Sequence, residues 1–188
     1  MRGAQTMRAI ACATAVMAGA AGCTGTTIDG AAEPTRRNID EIIVFNVCRD
    51  PGLSDQILLD AGLDPTTKMV ITDPPEGVST FRVCNWGPVD GRYGPTNYRV
   101  SVFSTSHTLQ ELRKKETVIL LRETTVNGRR GQVSKERNDP ESCYVSFDAE
   151  QGMFQVRVGW LSEYESKDGN LCEIAAQHAA RLEPHLPR

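Results

Sequence analysis

The chain has 188 residues, 39% of them hydrophobic, with 21 basic against 24 acidic side chains. That length suits one domain with its own core. The mildly acidic balance makes the protein a poor candidate for nucleic acid or for an anionic lipid surface.

In chain order, Arg2 or Arg8 (following the possible starts Met1 and Met7) precedes an uncharged stretch from Ala9 to Ala21, AIACATAVMAGAA. As a helix it would reach about 20 Å, short of the ~30 Å hydrocarbon core. A basic start, a short apolar middle and small residues before a cut describe a secretory signal over residues 1–22. Ala20-Ala21-Gly22-Cys23 also resembles the bacterial lipobox. In that scheme the cysteine thiol takes diacylglycerol, the signal is cut ahead of it, and the new amine is acylated with a palmitate-type chain. Cys23 is therefore the expected lipid anchor; an ordinary signal with an incidental cysteine, or a buried N-terminal helix, is the plainer alternative. One acyl chain binds only marginally, so two or three are needed. Cleavage would discard Cys12 and leave 166 residues with 19 basic and 24 acidic side chains, a net charge of −5.

Residues 23–38 then read as the lipidated cysteine and a flexible tether: TGTTIDGAAEPTRR is small and polar without an apolar period. At ~5–6 Å × √n it would hold a domain about 20 Å from the membrane. The single domain is expected over residues 39–188. Its first run, IDEIIVFNV, fits a helix or a strand equally. A helix follows, with Ser54 as cap, Leu58 and Ala61 at helical spacing and Gly62 as the stop.

Ser79 to Trp86 alternates as a strand, with Phe81 and Val83 on one face and Arg82, Cys84 and Trp86 on the other. Asn97 to Thr105 does likewise, aligning Tyr98, Val100 and Val102. The connection GPVDGRYGPTN is dense in Gly and Pro. Thr108 and Glu111 form a capping box for a short charged helix. Two hairpins come next, one turning at Asn127-Gly128 and one near Gln151-Gly152. Phe154, Val156, Val158 and Trp160 share one face of the second. A final helix presents Leu171, Ile174, Ala175, His178 and Leu182 on one face before Pro184 stops it. No later stretch is long and apolar enough to cross a membrane. The order predicts an α+β fold, an antiparallel β-sheet with helices packed on one face.

Four cysteines remain in the domain: Cys48, Cys84, Cys143 and Cys172. In an exported chain an even set forms two disulfides most simply, and spread singly they lack the close pairing of zinc ligands. Three connectivities are possible; the favoured one, Cys48–Cys84 with Cys143–Cys172, closes two loops of roughly thirty residues and would contribute about 3–4 kcal/mol each.

The ordered set of short motifs resembles a known family. Cys48 precedes a short helix ending at Ala61-Gly62-Leu63, and Cys84-Asn85-Trp86 lies on a strand. Val126-Asn127-Gly128 and Gly131 mark a hairpin, followed by Cys143-Tyr144-Val145, Cys172-Glu173-Ile174-Ala175 and Leu186-Pro187. In this the chain is similar to an actinobacterial family of exported lipoproteins of unknown function that includes mycobacterial LppA, LppB, LprB and LprC. The resemblance implies the same disulfide pairing and a compact α+β domain on the outer leaflet of the plasma membrane. Asp50-Pro51 departs from the pattern, in which Pro would stand nearer Cys48. The family carries no established reaction, so it lends no catalytic residues.

The sequence offers little chemistry of its own. His107, His178 and His185 show no H-E-x-x-H and read as ordinary surface or half-buried histidines. A G-x-S-x-G elbow and the Gly-rich phosphate loops are missing. Glu163, Glu165 and Asp168 read as a solvated, capping approach to the last helix rather than a carboxylate pair across a cleft. No metal and no cofactor is expected. The most binding-like feature is the loop from Gly87 to Asn97 with Trp86, Tyr93 and Tyr98 around it, since aromatic residues on such a loop can anchor a partner or glycan. Arg129-Arg130, beside a tight turn, could meet a phosphate or carboxylate headgroup, a solvated hairpin tip being the plainer reading. The expected function is a non-enzymatic envelope lipoprotein. It would be exported and held at the extracytoplasmic face of the cell membrane through Cys23, binding an envelope protein, lipid or glycan. A carrier of small apolar ligands is the second reading and an extracytoplasmic hydrolase the third.

Overall fold

A computed structural model describes residues 42–49, 52–75, 80–92, 97–161 and 169–188. The signal, Cys23, the tether, the domain onset at Ile39, Tyr93, and the carboxylates Glu163, Glu165 and Asp168 lie outside the described residues.

The first described segment is extended without strand pairing. Val44 and Val47 are buried along it, the Phe45 N–H donates to Gln151 Oε1 (2.7 Å), and the Phe45 ring stands edge-on to Phe154. Helix α1 spans Asp55–Asp60; Ser54 Oγ accepts from the Ile57 N–H, and Gly62 follows at φ 81°. Strand β1 (Leu63–Thr72) was not legible in the sequence. Pro65 and the lack of alternation hide it, and its pairing with β2 skips between Asp64 and Met69, a habit of edge strands.

β2 (Phe81–Pro88) and β3 (Tyr98–Thr105) fall close to their expected positions, separated by a 3-10 turn over Val89–Arg92. α2 (Leu109–Arg113) opens with the full capping box: the Glu111 N–H donates to Thr108 Oγ1, and the Thr108 N–H donates to Glu111 Oε2. β4 (Val118–Val126) and β5 (Arg129–Glu136) turn at Asn127 (φ 47°) and Gly128 (φ 89°), the paired positive angles of a type I′ hairpin. β6 (Asp139–Ala149) and β7 (Gly152–Trp160) form the second hairpin. α3 (Leu171–Leu182) starts where Asn170 Oδ1 accepts from the Cys172 N–H, and a closing 3-10 turn, Glu183–His185, follows it with Pro184 in its first turn.

All seven strands join one antiparallel sheet in the order β1-β2-β3-β7-β6-β5-β4. α1 and α3 pack on one face, over Trp86, Val100, Val102, Val145, Phe147, Phe154, Val156 and Val158. Burying each such large side chain stabilises the fold by about 1.5–3 kcal/mol. The much shorter α2 lies against the opposite face, with Leu109 and Leu112 on Met153.

Both disulfides are formed, Cys48–Cys84 and Cys143–Cys172, with Cα separations of 5.5 and 5.0 Å. The first ties the N-terminal segment to β2, and the second ties β6 to the start of α3. No described helix is long and apolar enough to cross a membrane.

Candidate functional site

The face of the sheet opposite α3 is polar yet largely out of water. Period-two alternation sends Gln132, Ser146, Gln155 and Phe103 to this side, and the strand register sets them in one row across β5, β6, β7 and β3. Small Ser146 sits between the two long amides, and its Oγ accepts from Gln155 Nε2 at 2.8 Å. Gln132 Oε1 accepts from Arg113 Nε at 2.8 Å, and Arg113 also pairs with Glu123 at 2.9 Å, so α2 is held to the sheet by charge as well as by Leu109 and Leu112.

Between α2 and this row lies a trough of about 200 Å³. Phe81, Phe103, Leu112 and Met153 supply its apolar surface; Phe81 and Phe103 stand edge to face with ring centroids 5.6 Å apart. Gln155, 7% exposed, contributes an amide; Lys115, Glu136 and His107 bring polar groups. Tyr144 completes the lining, but its hydroxyl is committed, donating to Asp139 Oδ2 at 2.6 Å. The same carboxylate accepts from Arg157 Nε at 2.7 Å and from Ser142 Oγ at 2.8 Å. Burial pushes the Asp139 carboxyl up, but these donors outweigh it and hold it below the usual carboxylate range. Burial and the neighbouring Asp139 push the Tyr144 phenol well above its ordinary value, so it stays a fixed donor. His107 Nδ1 lies 3.5 Å from Glu111, whose carboxyl is held low first by the backbone hydrogen bond from Thr108.

This combination suits recognition. It offers an aromatic and aliphatic wall, one buried amide, and unlike charges near the opening, with Asp139, Tyr144 and Arg157 locked to one another. Among the described residues no group of three or more His, Cys, Asp or Glu side chains could hold a metal.

The residues expected to bind a partner lie elsewhere, and most are buried. Trp86 is 1% exposed in the core under α3. Tyr98 faces the same core, edge-on to Trp160, with its hydroxyl 3.2 Å from His178 Nε2. Both therefore pack onto the sheet instead of presenting themselves on the Gly87–Asn97 connection; Tyr93 lies outside the described residues. Arg129 is no solvated hairpin tip. It pairs with Glu183 and donates to the carbonyls of Leu186 and Pro187 at 2.6 and 2.7 Å. Only Arg130 is exposed, and it pairs with Asp148 at 2.7 Å. His178 also departs from the expected surface or half-buried placement. It is fully enclosed, its Nδ1 3.0 Å from the Ala61 carbonyl, and burial lowers its pKa to about 4. The neutral ring thus donates from Nδ1 to Ala61 and accepts from Tyr98 at Nε2.

Sequence reading missed the trough because it depends on register. Each of Phe103, Gln155 and Met153 occupies the off-core phase of a strand whose core phase was read correctly. Nothing in one strand says which neighbour lies beside it.

A family model described as "Protein of unknown function (DUF3558)" matches residues 11–185. No curated protein and no solved structure matches the chain.

Proposed function

The chain belongs to the DUF3558 family of proteins of unknown function, and from that footing we propose that it is an exported, lipid-anchored, non-enzymatic binding module of the cell envelope, of the actinobacterial lipoprotein kind. Cys23 would carry the acyl anchor and the domain would stand on the extracytoplasmic face of the membrane. The observation that carries this reading is the pair of disulfides, both closed at ordinary Cα separations and both joining a terminal segment of the domain to the sheet. Such bonds persist in oxidising compartments and are rare where thiols are kept reduced. The trough over the polar face supplies a surface for the binding role, with its polar groups already held in place by neighbouring residues.

Fatty-acid labelling in the native membrane tests the anchor. Cys23→Ala should abolish the label, because the thiol is the acceptor; undiminished labelling of that variant overturns the anchoring. Cross-linking on intact cells tests the binding role. Discrete adducts should form on the α2 side of the sheet, and a chain that yields none there loses that part of the reading.

A further inference from the structure

We propose that the trough between α2 and the polar face of the sheet binds one pyranose ring of a neutral sugar. The ligand follows from three features of the lining.

The first is size. A volume of about 200 Å³ is a little above the ~150 Å³ of a protein cavity that takes one benzene, enough for one six-membered ring and too small to enclose a lipid chain or a folded peptide.

The second is the balance of charge. Lys115 and Glu136 both line the trough, and among the described residues neither has an ion-pair partner. A ligand of net charge would meet one of them favourably and the other unfavourably. A neutral polyol can donate to Glu136 and accept from Lys115 at once, since each hydroxyl is both donor and acceptor.

The third is the pairing of an aromatic surface with a buried amide. Phe103 and Gln155 are register partners on neighbouring strands and point to the same side. Gln155 spends its Nε2 on Ser146, which leaves Oε1 as an acceptor. The C–H face of a pyranose meets the negative face of a phenyl ring while its hydroxyls turn outward to the amide. A wholly apolar ligand would strip water from Gln155, Lys115 and Glu136 without replacing those hydrogen bonds.

The inference deepens the binding-module reading and rests on it only for the statement that the domain is a binder. The test is a titration of the purified, isotope-labelled full chain with the methyl glycosides of glucose, galactose and mannose, with indole as the apolar control. We expect a saturable response to at least one glycoside, on the order of 1 mM, read in the Gln155 side-chain amide and the Met153 methyl. Gln155→Leu should weaken it at least tenfold. Should that variant fail to fold, the exposed Lys115→Ala decides, with an expected loss of about threefold. No saturable response to any glycoside, a response to indole alone, or affinities unchanged in the variants overturns the proposal. A silent titration leaves acylation of Cys23 standing, and an unlabelled Cys23 leaves the sugar result standing, so the two failures are distinguishable.

Discussion

Arg129 and Glu183 form an ion pair at 2.5 Å with only 6% and 4% of their side chains exposed, and this pair fixes the C-terminus of the chain to the β4–β5 hairpin. The guanidinium also takes the last carbonyls before Arg188 and lies 5.7 Å over the Phe147 ring. Beside it, Asn127 Nδ2 donates to the Ala180 carbonyl at 2.7 Å, so one hairpin grips both α3 and the tail beyond it.

Removing either partner of such a pair strands a buried charge. Glu183→Gln should therefore destabilise the fold by about 3–5 kcal/mol, measured by urea unfolding. The exposed Arg130→Ala, which breaks only a surface pair with Asp148, should cost no more than about 1 kcal/mol. Equal effects would show that the clasp contributes nothing beyond a surface bridge.

The buried His178 gives stability a pH dependence with a definite sign. Its folded pKa, about 4, lies below the ordinary 6.5, so between those values the unfolded chain binds more protons. Stability should be fully present above pH 6.5 and should fall as the pH drops toward 4, by about 3 kcal/mol in all. The lowered carboxyls of Asp73 and Asp139 withdraw their contribution mainly below the ordinary value of 3.8, and that of Glu111 below 4.5, so they act at the acid edge of this window. Urea midpoints from pH 7 to 4.5 should show the slope, and His178→Asn should flatten it; an unchanged slope in the variant would assign it to other groups.

Cys143→Ser opens the covalent loop between β6 and the start of α3, with a sequence separation of 29. In the chain-entropy model the loss is about 3–4 kcal/mol, several degrees in melting temperature. Cys48→Ser should act similarly. A melting curve identical to that of the parent would mean that the constraint is not present in the protein as isolated.

Two glycines of similar appearance should respond differently. At Gly152 an added Cβ would stand 2.5 Å from the Thr105 carbonyl oxygen and from Ser106, at φ 151°. At Gly128 it would meet nothing within 4 Å. Gly128→Ala should thus cost only the backbone penalty of about 1 kcal/mol, and Gly152→Ala clearly more, because the β7 start and the β3 end must separate. Thermal melts of the two variants give the comparison.

Much of the fold was legible because its signals are local. Alternation in Phe81–Trp86 and Phe154–Trp160, the Thr108–Glu111 box and the Asn127-Gly128 turn each declare themselves within a few residues. β1 did not, because an edge strand with Pro65 and three consecutive exposed apolar residues, Met69 to Ile71, has no face to alternate. The burial of Trp86, Tyr98 and Arg129 was hidden for a related reason. Aromatic and basic side chains look alike in sequence whether they face solvent or, like Tyr98 and Arg129, satisfy their polar ends on partners 54 or more residues away.

The place of β3 beside β7 has a consequence for how the molecule is made. Its pairs run from Thr105 with Met153 to Tyr98 with Trp160, so they close loops of 48 to 62 residues. The β4–β7 meander can zip through neighbouring hairpins, whereas β1–β3 must wait with Val100 and Val102 on an open edge until β7 is in place. Long-range pairing of this kind is slow to form. The domain therefore has its greatest exposure to aggregation and proteolysis during the interval between emergence of β3 and arrival of β7, and a chaperone that holds the first hairpin would shorten that risk more than one acting at the C-terminus.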